Sequence, residues 1–327
     1  MHYEERGKLI RGVGGLYEIL LDAGNTPLSG QSVAARAKGQ FRHEGITPLV
    51  GDLVRVCFDD AILQHTDGGY LAPADGGGVV IEEILPRKNA LIRPPLANLD
   101  ILFITLAAAQ PAPVLETVDK LISIAEYNGI EPVLVIGKQD IDPEAAEKIR
   151  EIYTRSGFSV FVLSAREGCG DLRALRDYIH CELAQKTAAF AGASGVGKST
   201  LMNALFEGFA LETGEVSRRI ERGRHTTRRV DLYRLPDIGG FIADTPGFSM
   251  LDFVRFDFFT RDELFDTMRE FAPYLGDCRY KKCTHTREEG CAILDAVARG
   301  IIPRSRHESF VAMYDALKNK HEWSKKK

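Results

Sequence analysis

Eight residues of this chain, Gly192 to Ser199, read GASGVGKS and fit the phosphate-loop spacing of glycine, four residues, glycine, lysine and a hydroxyl residue. Glycines at 192, 195 and 197 let the backbone wrap so that successive N–H groups face phosphate oxygens, and a helix starting at Lys198 adds its partial positive charge. The expected cradle is Gly192, Ala193, Ser194, Gly195, Val196, Gly197, Lys198, Ser199 and Thr200. Lys198 supplies a point charge to the β- and γ-phosphates, and Ser199 offers its hydroxyl to Mg²⁺.

A phosphate loop does not choose between ATP and GTP, and three further stretches bear on that choice. FIADTPG, Phe241 to Gly247, delivers Asp244 at the end of an apolar strand, where a carboxylate holds Mg²⁺ through water, and Gly247 can give its N–H to the γ-phosphate. Between the two motifs lies RRIERGRHTTRR, in which Thr226 and Thr227 are candidates for the hydroxyl that closes over the metal. GKQD, Gly137 to Asp140, follows a strand. Asp140 can accept from the N1–H and 2-amino group of guanine, Lys138 can lie along the base, and Gln139 stands between them. LSA then ends the next strand, where the backbone at Ser164 and Ala165 can reach the guanine O6. Taken alone, GKQD reads equally as a surface turn, and Gly137 stands where a guanine reader usually has Asn. Both reader stretches precede the phosphate loop instead of following it, which is the order of a circularly permuted GTPase; a parallel sheet tolerates rejoining because its strands need neighbours in space, not in sequence.

Cys278, Cys283, His285 and Cys291 have the spacing C-x4-C-x-H-x5-C. Three thiolates and an imidazole can converge tetrahedrally on one Zn²⁺, and four protein ligands leave no position for water, so the expected site is structural. The alternative is a set of ordinary buried thiols. Cys57, Cys169 and Cys181 have no such spacing and read as packed or idle thiols, and His307 and His321 read as surface or helix-face residues.

The elements that must position these residues divide the 327-residue chain into more than one domain. Up to about Leu85, short β-rich runs (GKLIRGVGGLYEILL, QSVAARAKG, GDLVRVCF, GGVVIEEIL) predict a five-stranded barrel, OB-like as first choice and SH3-like as second. PRKNALIRPPLANLD, Pro86 to Asp100, reads as a linker whose prolines oppose helix and ladder alike. From there to residue 255, buried apolar strands alternate with amphipathic helices, the mark of a parallel sheet covered on both faces. Residues 256–327 read as a helical zinc-binding domain, with TRDELFDTMREFAPYL and PRSRHESFVAMYDALKNKH as its helices. The net charge of -4 does not announce a nucleic-acid protein, but Arg218, Arg219, Arg222, Arg224, Arg228 and Arg229 cluster and the chain ends in KKK. A solvated loop and tail would read the same way. No apolar run approaches the roughly 20 residues that span a bilayer, and MHYEERGKLI lacks the apolar centre of a secretory signal, so the expectation is a cytoplasmic protein without a membrane partner.

With EGITPLVGD, IRPPLANLD, GASGVGKS, RGRHTT, DTPGFS and GDCRYKKCTH, the sequence resembles the bacterial ribosome small-subunit-dependent GTPases, a permuted family with an N-terminal OB domain and a C-terminal zinc domain. The resemblance covers nearly the whole chain. It implies GTP hydrolysis stimulated by the small ribosomal subunit, a late role in assembling that subunit, and contact with its rRNA. Phe248 follows DTPG where many GTPases carry a water-orienting glutamine, and by resemblance His225 positions water instead. A plain RNA-binding scaffold with structural nucleotide, or an ATP-dependent small-molecule kinase, are the alternatives. A monomer suits a particle-binding switch.

Overall fold

The computed structural model describes residues 1–66, 69–206, 230–244 and 259–324. Two compact units emerge. The first takes residues 1–99, 185–189 and 230–244; the second takes 100–184, 190–206 and 259–324.

In the first unit, strands β1 (His2–Val13), β2 (Leu16–Leu21) and β3 (Ser32–Ala37), the short helix α1 (Gly39–His43) and strand β4 (Leu53–Asp59) are followed by a small hairpin, β5 (Gln64–Thr66) with β6 (Gly69–Leu71), and then by β7 (Val80–Ile84). Pairing runs β1–β2–β3–β7–β4 and returns from β4 to β1, so the five long strands close on themselves. The β3–β7 pair is parallel and the rest are antiparallel. Alternation along the strands sends Leu9, Ile19, Val33, Ala35, Val54, Val56, Phe58 and Ile81 into a dry interior. This is the OB-like barrel expected of the sequence.

The proline-rich stretch after the barrel is not an open linker. Ala90–Leu91 (β8) pairs with Leu96–Ala97 (β9), leaving Pro94 and Pro95 in the turn, where neither has to donate to a ladder. This hairpin sits on the barrel: Ala97 N–H donates to Val50 O at 2.8 Å, and the Asn98 side chain donates to Gly51 O at 3.0 Å. Gly51 has φ +92°, and a Cβ there would collide with the Ala97 carbonyl. Buried Asp52 holds Arg87 at 2.6 Å.

The same unit carries β15 (Asp231–Leu235) and β16 (Gly240–Asp244), an antiparallel hairpin with Asp231 opposite Asp244. β16 runs parallel to β14 (Thr187–Ala191). β1 meets this group twice. Arg11 pairs in register with Asp231, its Nε 3.2 Å from the Asp231 carboxylate and its Nη1 3.3 Å from Glu18. Lys8 donates to the Thr187 hydroxyl at 3.0 Å and lies over the Phe241 ring.

In the second unit, β10 (Ile101–Ala107), β11 (Glu131–Gly137) and β12 (Ser159–Ser164) are parallel, and the two-residue β13 (Cys169–Gly170) is antiparallel to β12. All seven residues of β10 are buried, as expected of a strand covered on both faces. Helices α2 (Leu115–Tyr127), α3 (Pro143–Arg155) and α4 (Leu172–Glu182) alternate with these strands, and α5 (Lys198–Phe206) follows β14. α3 starts with Asp142 accepting from Ala145 N–H at 2.9 Å and with proline at its first position. Phe190, at the end of β14, stacks on Phe103 of β10 with centroids 4.8 Å apart.

The C-terminal part of this unit departs from expectation in one element. Arg261–Thr267 and Arg269–Tyr274 are two 3-10 turns, not one α-helix. Met268 between them is extended at φ -110°, ψ 92°, and Pro273 lacks the N–H a continuing helix needs. Helices Ala292–Ala298 and Arg304–Ser324 follow.

Arg306 on the last helix is fully buried, with Nη1 2.6 Å from Asp119 of α2 and Nε 2.7 Å from Glu270. Tyr153 of α3 donates to the same Asp119 oxygen at 3.0 Å. Burial alone would push the arginine pKa down, but the two carboxylates outweigh it and the guanidinium stays charged. Burial pushes the Asp119 carboxyl up against the pull of Arg306. Arg269 ties the first turn of the second 3-10 segment to Glu126, to Glu131 at 2.5 Å and to the Gly157 carbonyl at 3.2 Å.

Candidate functional site

The phosphate loop leaves β14 and enters α5 through three glycines in the left-handed region, Gly192 at φ +146°, Gly195 at +79° and Gly197 at +101°. At Gly192 the need is steric as well: a Cβ would collide with the Thr105 carbonyl of β10. Lys198 folds back over the loop, donating to Gly192 O at 2.7 Å and Ala193 O at 2.9 Å. Burial lowers the pKa of this ammonium, and no carboxylate neutralises it among the described residues. It is a half-dehydrated cation held by carbonyls, and an anion with its own oxygens would replace them. Val196 is buried, whereas Ala193, Ser194, Gly195, Ser199 and Thr200 are exposed. The loop therefore fits a phosphate group, and the Ser199 hydroxyl in the first turn of α5 is open to a hydrated Mg²⁺.

GKQD lies beside this loop despite its distance in sequence. Gly137 ends β11, and Lys138 adopts φ +59°, which turns its side chain across the phosphate loop. Its Nζ donates to Gly195 O at 2.8 Å and also to Gln110 O. Gln139 N–H donates to Leu163 O at 3.3 Å, joining GKQD to the LSA turn. In that turn Ser164 is buried, with its hydroxyl 3.3 Å from Glu167 N–H, and Ala165 is half-buried. Asp140 is exposed at the rim. Three of the sequence-derived stretches are thus brought together in one unit. A Cβ at Gly137 would sit 3.5 Å from Val196 O and 3.7 Å from Leu106 O, ordinary contacts, so a Cβ fits at this position.

Of the remaining expected residues, Asp244 closes β16 in the first unit. His225, Thr226, Thr227, Gly247 and Phe248 lie outside the described residues, as do the arginine cluster at 218–229 and the terminal lysines.

Cys278, Cys283, His285 and Cys291 converge, their donor atoms all within 4.8 Å of one another. His285 Nδ1 is 3.5 Å from the Cys278 sulfur and 3.4 Å from that of Cys291, and the two sulfurs are 3.8 Å apart. Ligand edges of a tetrahedral ion have about that length. Burial first, joined by the neighbouring thiols and opposed by the His285 N–H, pushes the Cys283 thiol up to about 12, so a cation beside it would be needed to hold it as a thiolate. Burial likewise lowers the His285 pKa and keeps the imidazole neutral, as a ligand must be. The donor set fits a soft divalent metal. Glu288 braces the loop: burial would raise its pKa, but the Thr284 hydroxyl and N–H and the Arg287 N–H hold it down at about 2.

His307 corrects an expectation. It is 8 % exposed, not a surface residue, and its Nε2 lies 2.7 Å from the His285 carbonyl. With Arg306 beside it, one turn of the last helix fastens both the cysteine-rich loop and α2. Sequence reasoning missed this turn and the Gln110 carbonyl. The available signal for the first was a lone aspartate, Asp119, on the apolar face of α2.

A phosphate loop that leaves a strand of a parallel sheet, with GKQD beside it although GKQD precedes it in the chain, is the arrangement of a permuted P-loop GTPase. Comparison with known proteins agrees. The RsgA GTPase family model matches residues 84–254, and the RsgA N-terminal domain model matches residues 6–62. The chain belongs to the RsgA GTPase family. The small ribosomal subunit biogenesis GTPase RsgA of Caldanaerobacter subterraneus subsp. tengcongensis is 37% identical over 318 residues, 97% of either chain. That of Carboxydothermus hydrogenoformans is 40% identical over 282 residues, 86% of this chain and 89% of the relative. Among solved structures, YjeQ from Thermotoga maritima aligns with a TM-score of 0.74 at 30% identity, covering 96% of this chain and 99% of that one. YloQ, described as a circularly permuted GTPase, aligns at 0.72 and 30% identity, covering 97% and 96%.

Proposed function

We propose that this protein hydrolyses GTP to GDP and phosphate as a late assembly factor of the small ribosomal subunit, that the subunit stimulates hydrolysis, and that rRNA is part of the contact. The observation that carries the reading is the Lys138 bridge: GKQD and GASGVGKS, far apart and in inverted order, meet at Gly195. The relatives' name, small ribosomal subunit biogenesis GTPase, supports the partner. In this reading Lys138, Gln139 and Asp140 with Ser164 and Ala165 hold guanine, and Gly192 to Thr200 hold the phosphates. Ser199 and Asp244 hold Mg²⁺, and Thr226, Thr227 and Gly247 sense the γ-phosphate. His225 positions the attacking water beside the apolar Phe248. The division of labour is barrel 1–85, GTPase 86–255 and metal domain 256–327, with Cys278, Cys283, His285 and Cys291 holding one structural Zn²⁺. The protein works as a cytoplasmic monomer with no membrane partner; among the described residues no helix is long and apolar enough to cross a membrane.

Gly192 to Lys198 present donors and positive charge to the phosphates, which is where charge develops as the bond to the γ-phosphoryl group loosens. Mg²⁺, held by Ser199 and Asp244, would supply positive charge that offsets the charge developing on the phosphates. Thr226, Thr227 and Gly247 would report the presence of the γ-phosphate, a contact that hydrolysis removes. The test is GTP turnover with and without purified small subunits: a rise is expected, and equal rates would favour an RNA-binding scaffold. His225→Ala should keep nucleotide affinity and lose at least about 100-fold of the stimulated rate, the scale of removing one preorganised catalytic group. An unchanged rate removes the assignment.

A further inference from the structure

A second donor cluster lies at the other end of the molecule's chemistry, on the barrel. The nitrogen, oxygen and sulfur ligand atoms of His2, Glu4 and Cys57 lie within 4.8 Å of one another. The arrangement follows from register. β1 and β4 are antiparallel with His2 opposite Asp59 and Glu4 opposite Cys57, so the four side chains, two apart along each strand, share one outer face of the barrel. Cys57 is 8 % exposed, whereas His2 and Glu4 are exposed and can rotate.

The chemistry of the set selects its ligand. A thiol and an imidazole beside a carboxylate suit a borderline-soft divalent ion and do not suit Mg²⁺ or Ca²⁺, which take oxygen. The neighbouring charges are already matched: Arg55 pairs with Glu83 at 3.0 Å, and Lys38 with Glu82. Glu4 has no ion-pair partner among the described residues. Asp59 Oδ1 lies 3.0 Å from His2 Nδ1, so a proton on Nδ1 leaves the Nε2 lone pair available. A carboxylate behind the imidazole is the usual way a zinc-binding histidine is oriented.

We propose that His2, Glu4 and Cys57 form a second Zn²⁺ site, with Asp59 orienting His2 and a fourth position open to solvent. Tetrahedral zinc requires ligand separations of roughly 3.5 Å, so closure from separations within 4.8 Å needs at most about 1 Å of movement, supplied by rotation of the two exposed side chains. Coordination releases the Cys57 proton. The ion would clip β1 to β4 along residues 2–6, which pair with β4 before β1 meets β2 at Gly7. This inference is independent of the GTPase reading.

The test is metal stoichiometry. The full-length chain, stripped by chelator, is titrated with Zn²⁺ against a chromophoric competitor, and with Co²⁺ to read the thiolate charge-transfer band. His2→Gln, an exposed change at the strand's start, should bind one equivalent fewer than wild type. Cys57→Ser should do the same and lose part of the charge-transfer intensity. Because the count is a difference, it holds whatever the C-terminal cluster binds. A His2→Gln chain with the wild-type number of equivalents overturns the site.

Discussion

The phosphate loop and the cysteine cluster are both built to hold something charged, and they are built in opposite ways. The loop is backbone: three left-handed glycines, carbonyls capped by Lys198, and a strand on one side and a helix on the other. The cluster is side chain: four ligands on a loop between short turns, two of them with thiol pKa values raised by burial. A site made of backbone inherits its shape from the sheet and exists before the ligand arrives. A site made of crowded thiols is stable only once the proton or the ion resolves their charge. The difference teaches where each should fail.

Metal removal should separate the two most widely. Chelation is expected to lower the thermal midpoint and expose residues 278–291 to proteolysis while GTP affinity stays near its starting value, because metal binding free energy at such sites is folding free energy, about 10 kcal/mol or more in small zinc modules. Equal loss of both would break the contrast. Arg306→Ala comes next. It leaves Asp119 and Glu270 buried without their cation and should cost about 3–5 kcal/mol in denaturant melts, again more than it costs GTP binding at native temperature. Gly192→Ala inverts the pattern. Collision with Thr105 O and a left-handed φ should abolish nucleotide binding and cost about 1–3 kcal/mol of stability, with the metal still bound. The smallest effect is a gain. Gly137→Asn, at a position where a Cβ meets only ordinary contacts, should tighten guanine nucleotide binding by up to about tenfold, the worth of one net hydrogen bond, as read by titration with GDP.

What the sequence disclosed follows the same contrast. Motifs whose chemistry is local were legible: the glycines of 192–197, the ligand spacing of 278–291, the continuous apolar run of β10, and five alternating strands. What was not legible depends on partners far along the chain. PRSRHESFVAMYDALKNKH reads as a helix without saying which arginine it buries, and Arg306 is buried because Asp119, 187 residues away, and Glu270 meet it there. His307 follows from the same turn. β15 was not anticipated because DLYRL is short and its pairing with β16 and β1 is a tertiary fact. The hairpin at 90–97 was masked by prolines that fall in its turn. GKQD reads equally as a guanine reader or a surface turn, and its contact with the phosphate loop, Lys138 to Gly195, is again a tertiary fact.

β1 is more than a stave of the barrel. Lys8 grips β14, whose next residue is Gly192, and Arg11 grips Asp231, at the head of the strand that follows the arginine-rich segment. Two basic side chains three residues apart thus splint one barrel strand to Thr187 and to the hairpin that Asp231 opens, all within the first unit.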